Sequence, residues 1–479
     1  MRATWLAIGL AAWIANSASA QSPSRSAYSR GYQPRPHASH GYQVDYQESD
    51  AYADDAEAAT DDAPPAETVD APPPGGMTGP VEYGDGYWGD DCCADGCCAD
   101  GCCPTDCCDP WGGPRCTPCP PTPGCAPCHT GCCDMAVWVN LDFMALWLKG
   151  DKLPPIVTTS DPGTPPEGAG VLGLSSTHVL FGDGRVNREF RPGGRVQMGL
   201  WFDGEQTLGI DGHYFTVATA DQRFYSQSNF ASGDPTAQIL AIPTINGATG
   251  TPTSTLIAYG TSPSSSINGS VSAIATSDLQ SAAGGARLQL WGDCYGCNRI
   301  YGTGGYRFFR LDEGLTLETS RYELPGTTAI STYDRFRTFN QFQGTYIGTL
   351  VQLNAGPLWA WVAPQIAMGN MHQVANISGA TGPLYGTPTS GAGILTAASN
   401  VGHHWRDHFA YIPEVDVKIG YQITPYLLAT LGYNFTYLSS VVRPGTVINP
   451  AIGGAQPTFA YNATSLWMQA ATAGFQIRF

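Results

Sequence analysis

From Ala136 to the C-terminus, apolar residues recur at every second position with small or polar residues between them. That is the period of a β-strand, whose side chains point alternately to opposite faces. In AVWVNLDFMALWLKG, Val137, Val139, Leu141, Phe143, Ala145 and Trp147 share one face, and Asn140 and Asp142 lie on the other. RVQMGLWF sets Val196, Met198, Leu200 and Phe202 against Arg195, Gln197, Gly199 and Trp201. Asp203-Gly204 is a turn signal, and TLGIDGHYF returns with Asp211 and His213 on its polar face. FAYIPEVDVKIGYQ puts Phe409, Tyr411, Val415, Val417, Ile419 and Tyr421 on one face and Glu414, Asp416 and Lys418 on the other. The chain turns at Thr424-Pro425 and returns along Leu427, Ala429, Leu431, Tyr433, Phe435 and Tyr437. Trp467 to Phe479 alternates in the same way.

The pattern predicts an all-β body of about twelve strands, an even number. Alternation alone fits a soluble sandwich or a membrane barrel, and the two ends of the chain decide between them. MRATWLAIGLAAWIANSASA has a positive start, an apolar centre and a small-x-small site ending at Ala20. This is the layout of a secretory signal peptide over residues 1–20. No later stretch has the length of apolar sequence that a membrane helix needs. A last strand ending on Phe479 is of the kind that barrel assembly machinery recognises. An exported chain of amphipathic strands with aromatic residues near the strand ends is expected to be a transmembrane antiparallel β-barrel. Its place would be the bacterial outer membrane, with membrane lipid as its surroundings. Short turns at Asp203–Gln206, Asn354–Pro357 and Ile423–Pro425 should alternate with long Ser/Thr/Gly-rich loops, mainly 218–282 and 377–405.

Charge divides the chain. The net −17 comes from the N-terminal part: residues 41–134 hold nineteen Asp and Glu against the single Arg115. Residues 21–91 are rich in Pro, Ala and Asp, without apolar periodicity, and read as a disordered arm. Residues 92–134 continue it as a cysteine-rich segment, and the barrel is expected over 135–479. Such acidity excludes nucleic acid as a partner, because binding it requires basic surface.

The cysteine-rich segment repeats adjacent pairs: Cys92-Cys93, Cys97-Cys98, Cys102-Cys103 and Cys107-Cys108. Consecutive Cα atoms are ~3.8 Å apart, closer than a disulfide prefers, so each pair should bond to other pairs. In an oxidising periplasm, disulfides within the arm or to other chains are the default, with metal binding as the alternative. Copies of this chain or neighbouring envelope proteins are then the expected partners. Cys294 and Cys297 fit a local disulfide stapling a turn. Cys125-Ala-Pro-Cys128-His129 has the form of a haem attachment motif, but no helical pattern surrounds it to make a pocket. His403, His404, Asp407 and His408 fit exposed rim residues better than a metal site. No cofactor or metal is expected, and no nucleophile–base arrangement points to an enzyme. The inward polar faces offer Arg195, Asp211, His213, Arg307, Glu414, Asp416, Lys418 and Arg478, which would line a lumen and set ion preference.

Six strings resemble a known family: LWLKGDKLPPIVTTS (146–160), GYRFFRLDEGL (305–315), DRFRTFNQFQGTYIG (334–348), IAMGNMHQ (366–373), FAYIPEVDVKIGYQITPYL (409–427) and GYNFTYLSSVVRPG (432–445). Together they resemble the seventh catalogued family of outer-membrane β-barrel porins, common in planctomycete-type bacteria. The resemblance runs from about Ala136 to Phe479 and implies an outer-membrane barrel without catalytic residues. Two roles follow as expectations: a porin for passive diffusion of small hydrophilic solutes, or a structural envelope protein. In the second role the barrel is plugged and the periplasmic arm is cross-linked by disulfides. The cysteine-rich segment lies outside the matched strings.

Overall fold

The computed structural model describes residues 137–203, 206–232, 237–262, 264–292, 298–326, 329–384 and 389–479. Ten antiparallel strands form a closed ring. They are β1 (Val137–Leu148), β2 (Arg191–Trp201), β3 (Leu208–Val217), β4 (Ser265–Gly292) and β5 (Arg299–Leu324). They continue as β6 (Ala329–Ala355), β7 (Leu358–Pro383), β8 (Gly402–Thr424), β9 (Leu427–Val442) and β10 (Ala463–Arg478). Each pairs with the next, and β1 pairs with β10 in the register Trp138↔Arg478 to Leu148↔Met468, which closes the sheet. A closed sheet leaves no unpaired edge, which is what lets strands cross lipid. Among the described residues no helix is long and apolar enough to cross a membrane.

The ring has ten strands where the alternation suggested about twelve. The extra strands lie beyond one end. Ala220–Ser228 continues β3 along the first half of β4, and Leu240–Asn246 and Pro252–Ser262 form a hairpin outside the ring. The stretch expected to be a long loop, 218–282, is therefore largely strand. Part of 377–405 is strand too, since β7 runs on to Pro383 and β8 starts at Gly402. The cause is visible in β4: Val271, Ala273, Ala275 and Leu279 are buried, while Thr276 and Asp278 face water. Small inward residues and polar outward ones hide the strand period in a part of the sheet that stands clear of lipid.

The apolar belt runs round the other half of the ring. Leu141, Phe143, Ile347, Ile419, Leu431 and Phe475 all point outward and are exposed. An aromatic row borders it on each side. Trp147, Tyr411, Tyr437 and Trp467 lie on one side, with the Tyr411 and Tyr437 rings 6.4 Å apart. Trp291, Tyr421, Tyr426 and Phe479 lie on the other side, at the end that holds the short turns and both ends of the ring. The eleven residues between Trp467 and Phe479 suit the roughly 9–11 tilted residues that cross a hydrocarbon core. The expected turns at Asp203–Gln206, Asn354–Pro357 and Ile423–Pro425 all join neighbouring ring strands at this end.

Candidate functional site

The inward faces of the ring carry the candidate lumen residues, and these pair with one another. Arg195 Nε donates to Asp142 Oδ2 at 3.0 Å, and its Nη1 donates to Asp416 Oδ2 at 2.8 Å. Lys418 Nζ lies 2.6 Å from the same Asp142 oxygen and 2.5 Å from Gln197 Oε1. Arg307 pairs with Glu414, which also accepts from Asn434 Nδ2 at 2.9 Å. Asp211 pairs with Arg287 at 2.6 Å. His213 faces Gln197 across β2 and Ala283 across β4. Arg195, Arg307, Glu414, Asp416 and Lys418 are all buried. Six of the eight expected residues, Arg195, Asp211, Arg307, Glu414, Asp416 and Lys418, thus form ion pairs inside the ring. Arg478 sits apart from them, near the short-turn end, with its guanidinium 3.7 Å from the Trp359 ring centre.

Residues the sequence did not single out complete the layer. Asp142, on the polar face of β1, holds both Arg195 and Lys418, and its period-two position was the signal for it. Arg287 was hidden in a small-residue strand. Sequence gives no sign of which charges face each other across a closed ring.

The next layer, further from the short turns, is apolar. Met144, Phe215, Leu279, Phe309, Phe342 and Met371 meet inside the ring with Ile412, Leu438, Leu466 and Met468. Beyond it is a second ionic cluster. Arg443, at the end of β9, donates Nε and Nη2 to the two Glu313 oxygens at 2.7 and 2.6 Å. It also lies 3.7 Å from Asp151 Oδ1, while Gly445 N–H donates to Asp151 Oδ2 at 2.7 Å. Burial pushes the Asp151 carboxyl up to about 6; Arg443 opposes the shift and Glu313 adds to it. The last layer is an apolar cap. Leu153, Ile156, Val157, Leu240, Ile242, Val447 and Ile448, from the segments that connect ring strands, pack onto Leu315, Leu317, Phe336 and Ile377 of the ring.

The remaining candidates fall elsewhere. His403 Nδ1 lies 2.5 Å from Asn376 Oδ1, His404 stacks on Phe459, and Asp407 pairs with His372 at 3.0 Å. These contacts are spread over separate neighbours, and among the described residues no group of three or more His, Cys, Asp or Glu could hold a metal. The paired cysteines from Cys92 to Cys108, the Cys125–His129 motif, Cys294 and Cys297 lie outside the described residues. So do the expected signal peptide and arm.

A closed antiparallel ring with an apolar outer belt and a polar, layered interior defines a transmembrane β-barrel of the outer-membrane type. The chain belongs to the family described as "Putative beta barrel porin-7", which it matches over residues 138–479. No curated protein matches it. Solved structures with some likeness include the outer membrane protease OmpT from Escherichia coli, at 10% identity and a TM-score of 0.33, covering 72% of this chain and 97% of that one. The Pseudomonas putida toluene transporter TodX has 8% identity and a TM-score of 0.17, covering 72% and 90%. A Pseudomonas aeruginosa FadL homologue has 7% identity and a TM-score of 0.20, also covering 72% and 90%.

Proposed function

We propose that this outer-membrane barrel is closed at rest and serves the cell envelope as a structural anchor. The observation that carries the reading is the sequence of interior layers: ionic, apolar, ionic, apolar. A ring of eight strands is just filled by its own side chains, and aqueous channels come with about sixteen; ten strands stand near the filled limit. Opening a path would separate buried ion pairs, and leaving one buried charge alone costs about 3–5 kcal/mol. In this reading the chain ends face the periplasm, and the acidic arm tethers the barrel to copies of itself or to neighbours through disulfides. Lipid and the barrel assembly machinery are its other partners, and it performs no catalysis.

The test is planar-bilayer conductance of the full-length protein in several salts. A flat current is expected, and stepwise conductance overturns the closed barrel. Family membership favours a second reading, a porin passing small hydrophilic solutes by diffusion. Stepwise conductance together with swelling of loaded liposomes in small sugars would establish it. The tether is tested separately: without reductant, the protein should migrate as cross-linked species that collapse to monomer on reduction. A monomer in both lanes removes the tether.

A further inference from the structure

At the short-turn end the interior is not filled. Trp138, Trp201, Trp359 and Trp361 surround a cavity of about 70 Å³ that is open on one side. A single water needs roughly 10–15 Å³ on such a measure, so the space suits one small ring. Glycines make room for the indoles: a Cβ on Gly199 would lie 2.7 Å from the Trp138 ring, and one on Gly209 would lie 2.5 Å from the ring of Trp201.

Two buried amides in this wall have unused hydrogen-bonding atoms. Gln206 is 2% exposed and Gln476 6% exposed. Gln206 Oε1 accepts from Arg299, but its Nε2 has no partner, and neither has Gln476 Oε1. Buried polar atoms nearly always have partners. The guanidinium groups of the wall are engaged: Arg287 pairs with Asp211 at 2.6 Å, and Arg478 lies over the Trp359 ring at 3.7 Å. The wall therefore suits a neutral ligand that carries an acceptor and a donor beside an apolar ring.

The chain itself carries such a ligand. Trp138 stands in the cavity wall at the start of β1, so the chain enters the barrel at this mouth. The residues before Val137 lie outside the described ones. Among them, 117–127 reads TPCPPTPGCAP, with Pro118, Pro120, Pro121, Pro123 and Pro127. Proline-rich segments dock in aromatic-lined grooves because they are stiff before they bind. In Pro120-Pro121-Thr122-Pro123 every residue offers a carbonyl, and only Thr122 keeps an N–H. Thirteen residues, 124–136, join Pro123 to β1. Extended, they would reach about 43 Å, which is ample for the chain to turn back into the mouth.

We infer that this mouth binds the chain's own proline-rich segment, 117–127. A proline ring enters among the indoles, a proline carbonyl accepts from Gln206 Nε2, and Thr122 N–H donates to Gln476 Oε1. Docking fixes where the arm leaves the barrel, with the cysteine pairs from Cys92 to Cys108 upstream of the docked stretch. It depends on neither an open nor a closed lumen.

The probe is a peptide of residues 117–127 carrying Cys119→Ser and Cys125→Ser. Its binding is followed by calorimetry and tryptophan fluorescence, in detergent with reductant. The two receptors are the full-length wild type and a full-length variant carrying Pro118→Ser, Pro120→Ser, Pro121→Ser and Pro123→Ser. The peptide should saturate the proline variant. A tethered segment acts at an effective concentration on the order of 1 mM, so for a peptide of about 0.1 mM affinity the wild type should bind about tenfold more weakly. Gln206→Leu or Gln476→Leu, added to the proline variant, should each weaken the peptide about fivefold to tenfold. Each is first checked for the heat-dependent gel shift of a folded barrel. If one fails to fold, the other carries this arm; if both fail, the comparison of wild type with the proline variant carries the test. Trypsin gives a second readout at Arg115, the only Arg or Lys between residues 41 and 134. Docking should slow cutting there at least about tenfold in wild type relative to the proline variant. No saturable binding below about 5 mM, equal binding or equal cutting in wild type and proline variant, or folded glutamine variants that bind like their parent would each overturn the docking. Saturable binding of D-glucose but not of the peptide would assign the mouth to a solute instead. Conductance on the same preparation tests the lumen separately, and neither result there alters these outcomes.

Discussion

Arg195 reaches Asp416 across the barrel interior at 2.8 Å, although β2 and β8 are separated by β1, β10 and β9 around the ring. A contact of that reach ties together strands that share no backbone hydrogen bonds. It also leaves both groups nearly dry, with side chains 3% and 11% exposed. Arg195→Met strips Asp416 of this partner and leaves Asp142 to Lys418 alone. The loss should be about 3–5 kcal/mol, because an unpaired buried charge remains. Arg195→Met with Asp416→Leu should recover most of it, since no unpaired carboxylate is left at that position. Urea unfolding in lipid vesicles measures both; equal losses in the single and double variants would contradict the pairing.

Asp151 makes the second ionic cluster sensitive to pH. Its folded carboxyl titrates at about 6, against an ordinary value of 3.8, chiefly because it is buried. Arg443 and Arg185 oppose that shift, and Glu313 adds to it. Between these values the folded protein holds a proton that the unfolded chain has lost. Stability should therefore fall as pH rises from about 4 to about 6, by roughly 3 kcal/mol at most, and level off above. Asp151→Asn should flatten this dependence while leaving the Gly445 N–H an acceptor. Unfolding followed at a series of pH values checks the slope, and an unchanged slope in Asp151→Asn would assign it to another group.

Asp334 pins the segment between β7 and β8 onto the ring. Its carboxylate accepts from the backbone N–H groups of Ile394 and Leu395, each at 3.0 Å, and from Thr396 Oγ1 at 2.7 Å. Burial raises its pKa despite these donors. Asp334→Ala orphans three donors at once and should release the segment, at a cost of about 2–4 kcal/mol. Limited proteolysis of folded protein should then cut between 384 and 401 at least tenfold faster, with the rest of the barrel intact. An unchanged cutting rate would mean that the apolar contacts of Leu395 suffice.

The strand faces within the membrane belt were legible because there the contrast is between lipid and polar interior. Val137–Trp147, Val196–Phe202 and Phe409–Tyr421 read correctly from period two alone. Six of the eight polar positions chosen from sequence form ion pairs on the inward faces. Legibility failed where both sides of a strand carry small or polar residues, as in β4 above the belt, so its outer half passed for loop. It failed again for the partners of each charge. Glu313 and Arg443 lie 130 positions apart, and only ring closure brings them together.

The position of the membrane belt is the premise behind the whole reading, and two arginine substitutions on the outer face test it. Leu431 is 58% exposed on β9 and lies midway between Tyr426 and Tyr437, which belong to the two aromatic rows. Arg at the bilayer midplane of a barrel costs about 2–4 kcal/mol, falling to about 0–1 near the interfaces. Leu431→Arg should therefore lose roughly 2–4 kcal/mol in vesicles. Gln341 also points outward, on β6, but beyond the belt, level with His372 and near Arg310. Gln341→Arg should change stability by less than about 1 kcal/mol, because its side chain stays in water or headgroups. In detergent micelles, which adapt to the protein surface, the two penalties should converge. A large cost at Gln341 and none at Leu431 would move the membrane along the barrel and put the ionic cluster of Glu313 and Arg443 within it.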